Sequence, residues 1–134
     1  MQEGEKKVKA RKILEAIKYA DEKHKGQKRD GTGLPYIGHL MDVAYLVACV
    51  CNDDDVVVAS ILHDIYEDTD GEYTEVKHIF GKKVADLVAE VSKPYNKLST
   101  REGLIIKFAD LLHNVADMPK EEWVERKIKM IKNG

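Results

Sequence analysis

The segment from Val56 to Asp68 constrains this chain more than any other. Val56, Val57, Val58, Ala59, Ile61 and Leu62 make it apolar enough for a central, buried helix, yet it runs directly into His63-Asp64. An imidazole and a carboxylate buried without partners cost several kcal/mol. The fold must therefore bring something to satisfy them. A divalent metal ion would do so, because it takes a neutral imidazole nitrogen and an ionised carboxylate oxygen. The dipeptide alone is weak evidence, and the reading depends on whether other parts of the chain supply further ligands.

Apolar residues recur at helical spacing along the whole chain. Val8, Ile13, Leu14, Ala16, Ile17 and Ala20 form one stripe of a first helix that stops near His24-Lys25-Gly26. Residues 26–38 hold four glycines and a proline and read as a loop. A second helix is expected from about Gly38 to Cys51, and a third over about 54–68, capped at its acidic start by Asn52 to Asp55. Asp70-Gly71 reads as a turn, followed by a short helix from Thr74 to Gly81 and another over about 82–92 before Pro94. Ser99 and Glu102 have capping-box spacing ahead of a helix carrying Leu104, Ile105, Phe108, Leu111, Leu112 and Val115. Pro119 suits the first turn of a last helix containing Trp123, Val124, Ile128 and Ile131, of which Trp123, Val124 and Ile128 could face the core or a partner helix, with the core favoured. No useful period-two alternation appears. The expectation is an all-α bundle of about six to seven helices in a single domain, residues 1–134, with its core over about 10–118.

At 134 residues the chain can bury one substantial core. The formal net charge of −2 gives no general attraction to nucleic acid. No apolar run reaches the roughly 18 residues of a membrane span. The charged start at Met1 to Lys9 lacks the apolar core of a secretory signal. Cys49 and Cys51 point apart on a helix and are read as reduced core residues of a cytoplasmic protein. Oligomeric state stays open, a homo-oligomer included.

Four polar positions interrupt the apolar helices: His39, His63, Asp64 and Asp110. Singly, each has a plain explanation as a cap or a satisfied polar residue, and Asp110 has Lys107 or Arg101 as pairing choices. Together, on separate helices, they form a mixed nitrogen and oxygen set. That set suits manganese or iron better than structural zinc, whose closed sites favour thiolates. A six-coordinate ion would keep two positions for a water and a phosphate oxygen. Glu67 and Asp68 lie one helical turn beyond His63-Asp64, where a carboxylate can orient an attacking water or take its proton. The alternative is a solvated helix end, which the helix dipole disfavours for acids. Asn114, one turn past Asp110, could bind substrate or water, while His113 is read as a supporting or surface residue. Lys23, Lys25, Lys28 and Arg29 offer a positive rim for an anionic substrate or, equally, a basic helix end.

In this order the residues resemble the HD-domain metal-dependent phosphohydrolases, and within them the hydrolase domain of the RelA/SpoT family and its small stand-alone alarmone hydrolases. His24-Lys25-Gly26-Gln27-Lys28-Arg29 resembles that family's HxGQxR. Pro35-Tyr36-Ile37-Gly38-His39 resembles PYxxHP, and His63-Asp64-Ile65-Tyr66-Glu67-Asp68-Thr69 resembles HDxxEDT. Lys107-Phe108-Ala109-Asp110-Leu111-Leu112-His113-Asn114 resembles KxADxxxN. The resemblance implies that His39, His63, Asp64 and Asp110 hold the metal, usually Mn2+, with Fe2+, Co2+, Zn2+ or Mg2+ as substitutes. It implies that Glu67, Asp68 and Asn114 act on the water and that Lys28, Arg29 and Tyr36 meet the nucleotide. The reaction it implies removes the 3′-pyrophosphate of (p)ppGpp. Three departures stand out. Leu40 replaces the usual proline, Leu111 stands where a basic residue is common, and the stretch from Val91-Ser92-Lys93 to Asp110 is more than ten residues shorter than in better-known members. The shortening keeps two alternatives in view: hydrolysis of another small phosphate compound, and a nucleotide-sensing module without turnover.

Overall fold

Helix-forming periodicity translates into an all-α molecule. In the computed structural model, residues 3–117 and 121–133 are described, with side chains detailed for 10–117, 125–126 and 128–133. Eight helices occur among the described residues: α1 (Glu3–Lys23), α2 (Ile37–Val50), α3 (Asp54–Ile61), α4 (Ile65–Asp68), α5 (Tyr73–Phe80), α6 (Lys82–Val91), α7 (Arg101–Asp117) and α8 (Glu121–Asn133). α3 is central and packs against α1, α2, α6 and α7. Leu40, Val43 and Val47 of α2, Val56, Val58 and Ile61 of α3, and Val84 and Val88 of α6 are fully buried between them. Each such side chain contributes roughly 1.5–3 kcal/mol by leaving water.

One expected helix is two. The 54–68 segment breaks at Leu62, whose backbone (φ −96°, ψ 6°) leaves the helical region. The Ser60 carbonyl accepts from the His63 side chain, Nδ1 to O 2.6 Å, where a continuing helix would offer it to the backbone alone. The chain turns and restarts as α4. Two adjacent residues lie about 100° apart on a regular helix, so this break is what allows His63 and Asp64 to face one point. It also means that Glu67 follows them on a separate short helix.

Several burial expectations are corrected. α7 buries only Gly103, Ile106, Ala109 and Asp110, while Leu104, Phe108, Leu111, Leu112 and Val115 are exposed, with Leu104, Phe108 and Leu112 lining a groove beside Val50 of α2. Leu14 lies outside the α1 stripe and is exposed, because Ala16 and Ala20 make that helix's close approach. Cys49 is exposed and Cys51 is intermediate, and both are free thiols. Ile128 is exposed, contrary to the core position favoured for it, and so are its neighbours Met130 and Ile131. Pro119 lies outside the described residues, and so do the side chains of Trp123 and Val124.

The start of α7 is also built differently from a Ser99 capping box. Thr100 caps it, its Oγ1 accepting from Gly103 N at 3.0 Å. The carboxylate comes from Glu90 of α6, which accepts from Ser99 N at 3.1 Å, Thr100 N at 2.9 Å and Thr100 Oγ1 at 2.8 Å. A Cβ at Gly103 would overlap that carboxylate and push it aside. Gly81, at φ 97°, makes the α5–α6 corner in a conformation that disfavours any side chain.

Candidate metal centre and cleft

The loop after α1 is pinned by the only β-type pairing among the described residues, a bridge between Lys28 and Pro35. It delivers Tyr36 and His39 to the start of α2. The α3–α4 break delivers His63 and Asp64, and α7 delivers Asp110. One ligand atom from each of His39, His63, Asp64 and Asp110 lies within 4.8 Å of the others. Asp110 Oδ1 is 2.9 Å from His39 Nε2 and 3.2 Å from His63 Nε2. Asp64 Oδ2 is 3.1 Å from His63 Nε2. The sequence-expected four are thus brought to one point from three separate parts of the chain.

The donor set fits a divalent cation. A carbonyl only accepts, so the Ser60 contact fixes the His63 hydrogen on Nδ1 and leaves Nε2 facing the carboxylates. Burial pulls the His63 pKa down, but the charges and hydrogen bonds of Asp64 and Asp110 outweigh it and hold it well above the ordinary value. Those carboxylates thus draw positive charge to this spot. Burial also lowers the pKa of His39, against the pull of Asp110, which favours the neutral ring that binds metals. For Asp64, burial raises the pKa, yet the adjacent His63 charge brings it down to about 2. Asp110 likewise overcomes its burial through hydrogen bonds from His39 and His63 and ends far below the usual carboxylate range.

The remaining expected residues ring a cleft of about 700 Å3 that contains Asp64 and Asp110. Glu67 Oε1 accepts from Lys93 N at 2.6 Å, and Asp68 Oδ2 accepts from Gln27 Nε2 at 3.1 Å. Asn114 Nδ2 is 3.5 Å from Asp110 Oδ1. Lys28 is an exposed wall residue, whereas Arg29 is buried with Nε on Asp117 at 3.1 Å and Nη2 without a hydrogen-bond partner. Tyr36 lines the cleft, but its hydroxyl donates to Asp64 Oδ2 at 2.5 Å. Lys23 and Lys25 do not line it, and Lys23 pairs with Asp70 at 3.0 Å.

Other residues of this site carried no part in the expected chemistry, although Lys107 was one of the pairing choices for Asp110. Lys107 Nζ lies 3.3 Å from Asp110 Oδ2 and 2.8 Å from the Tyr95 hydroxyl, above that ring. Its position three before Asp110 was the available signal. Lys93 and Tyr95 come from the connection between α6 and α7, where no spacing pointed at the site. Met130 and Ile131 of α8 complete the wall. Behind His39, Nδ1 is 2.8 Å from His113 Nδ1, and His113 Nε2 is 2.9 Å from Asp42 Oδ2.

The chain is similar to known proteins over most of its length. The HD domain family model matches residues 16–103, a span containing His39, His63 and Asp64; Asp110 lies beyond it. A guanosine-3′,5′-bis(diphosphate) 3′-pyrophosphohydrolase of Aquifex aeolicus (strain VF5) is 39% identical over 90% of this chain, which spans only 19% of that protein. The human enzyme of the same name, MESH1, is 35% identical over 89% of this chain and 78% of its own length. A solved structure described as a metazoan ortholog of SpoT that hydrolyses ppGpp superimposes with a TM-score of 0.71 at 34% identity, covering 79% of this chain and 69% of that one. With its helices, its His-Asp pair and its match over most of its length, the chain belongs to the HD-domain family, alongside the guanosine-3′,5′-bis(diphosphate) 3′-pyrophosphohydrolases.

Proposed function

We propose that this chain, acting as one hydrolase unit, is a metal-dependent hydrolase that removes the 3′-pyrophosphate of (p)ppGpp. The observation that carries the proposal is the convergence of His39, His63, Asp64 and Asp110 on one point, with Asp64 and Asp110 opening onto a cleft that Lys28, Arg29, Lys93 and Lys107 share with Asp30, Glu67 and Asp68. The names of its relatives supply the guanosine alarmone. His39, His63, Asp64 and Asp110 would hold the ion, with Mn2+ first among the metals this donor set admits. When bound, the ion would neutralise phosphate charge and make water a stronger nucleophile at neutral pH.

The protein's own groups then divide the work. Glu67 and Asp68 are carboxylates on the cleft wall that would orient the attacking water and take its proton. Asn114 offers an amide to the water or a phosphate oxygen. Arg29, Lys28, Lys93 and Lys107 surround the cleft with positive charge for a polyanionic nucleotide. Water adds to the phosphorus bound to the 3′ oxygen, that oxygen leaves with a proton, and GDP or GTP and pyrophosphate result.

Purified protein incubated with ppGpp and Mn2+ is expected to release pyrophosphate, and Asp64→Ala to abolish the release. A protein of confirmed metal occupancy that gives no pyrophosphate overturns the proposal. The short connection at Lys93 and Tyr95 favours one second reading, hydrolysis of a different small phosphate compound. Faster turnover of a nucleoside monophosphate than of ppGpp, in a panel of nucleotides, would select it.

A further inference from the structure

Two polar contacts behind the metal centre are unused by the chemistry above. His39 is almost fully buried and both of its ring nitrogens are engaged. Nε2 faces Asp110, and Nδ1 lies 2.8 Å from Nδ1 of His113. His113 in turn presents Nε2 to Asp42 at 2.9 Å. Asp42 lies three residues after His39 on α2, and His113 lies three after Asp110 on α7. The same two helices that carry two of the proposed ligands therefore also carry the partners behind them.

Two nitrogens that close share one hydrogen, which leaves two arrangements for neutral rings. If His113 held it on Nδ1, its Nε2 would be a bare lone pair against the Asp42 carboxylate, which repels it. The His39 hydrogen would then sit on Nε2, which could no longer bind a cation. If His39 holds the hydrogen on Nδ1, it donates to His113, and the His113 Nε2–H donates to Asp42. Both contacts behind the ring are then donor to acceptor, and the His39 Nε2 lone pair faces Asp110 Oδ1 at 2.9 Å, a pair of acceptors that a cation between them would satisfy. The first arrangement fails at Asp42 and offers no lone pair to a cation; the second satisfies His113 and Asp42 and is the one in which a cation can sit between His39 and Asp110.

We propose that His113 and Asp42 are positioning residues that fix the tautomer and ring orientation of His39 toward the metal. This rests on His39 being a ligand, as proposed above. A ligating imidazole held by an acceptor behind it is oriented and made more basic, and losing that acceptor typically weakens metal binding by about 10–100-fold. Asp42 projects from the surface, with its side chain 65% exposed, so the relay reaches solvent on the side of α2.

The test is calorimetric titration of metal-stripped protein with Mn2+. His113→Leu should weaken binding by about 10–100-fold, while the stripped variant melts close to wild type. His113→Asn keeps an acceptor at the Nδ1 position and should recover most of the affinity. Asp42→Ala should give a smaller loss and, being a surface change, carries the test where His113→Leu does not fold. Wild-type affinity in His113→Leu or in Asp42→Ala, or His113→Asn as weak as His113→Leu, overturns the relay while leaving His39 a ligand. No Mn2+ binding by the wild type overturns both readings together.

Discussion

Tyr36 shows how one hydroxyl can decide the state of a carboxylate. It donates to Asp64 Oδ2, its ring is flanked by His24 and His39, and burial together with the Asp64 charge drives its own pKa far above the ordinary value. It therefore stays protonated and keeps donating at any working pH. The sequence suggested that Tyr36 meets substrate, and its position on the cleft wall permits that, but no spacing rule pairs residues 36 and 64. Tyr36→Phe removes the donor and leaves the ring, so it should lower kcat/KM about 10–100-fold with little change in melting temperature. Steady-state kinetics on ppGpp check this, and an unchanged kcat/KM would remove Tyr36 from the machinery. His63 gives a second prediction at this scale. Its pKa in the metal-free protein lies well above the ordinary histidine value, so near neutral pH the ring carries a proton that an incoming cation must expel. Mn2+ affinity should therefore fall as pH drops through the range below that raised pKa. Calorimetry in buffers of different ionisation enthalpy should show protons released on binding, and buffer-independent heats would contradict it.

Among the elements, α3, α4 and α7 separate what periodicity reveals from what it hides. The existence and order of the helices follow from apolar spacing, and the four clustered residues follow from polar interruptions of it. The break at Leu62 does not, because the His63 ring reaching back to the Ser60 carbonyl is a three-dimensional event in a segment of good helix formers. Nor does the open face of α7: Phe108, 70% exposed, and buried Ile106 look alike in a sequence, and only the placement of α2 and α6 decides between them. The tether of α7 was hidden for the same reason, since Glu90 is ten residues from Thr100. That carboxylate is buried and satisfies two backbone amides and a hydroxyl. Glu90→Ala leaves those donors unpaired and should destabilise by about 2–3 kcal/mol. Gly103→Ala should destabilise through the same contact by forcing the carboxylate aside. Urea unfolding measures both, and the double variant should cost less than the sum because each change disrupts one interaction. Additive losses would show that Gly103 and Glu90 act independently.

The proposed centre draws its ligands from α2, from the α3–α4 break and from α7, so for the whole molecule it is also a clamp. α7 needs one: it brings only Ile106, Ala109 and the small Gly103 into the core beside Asp110. Without a cation, two carboxylates and two imidazoles are left to neutralise one another, and the raised pKa of His63 shows the proton doing part of that work. An ion that binds the folded state alone stabilises it by RT ln(1 + [L]/Kd), about 2.7 kcal/mol at one hundred times Kd. Melting temperature should therefore climb with Mn2+ concentration and fall when a chelator strips the protein. Asp110→Ala should abolish that dependence, because it removes the α7 ligand and unties the helix from the other three groups. Glu67→Gln, on the cleft wall and outside the four-residue cluster, should keep the dependence while turnover of ppGpp is lost. Thermal melts of the three proteins across a Mn2+ series separate the two roles. A Glu67→Gln curve insensitive to Mn2+ would make Glu67 a ligand, and an Asp110→Ala curve that still rises would take Asp110 out of the set.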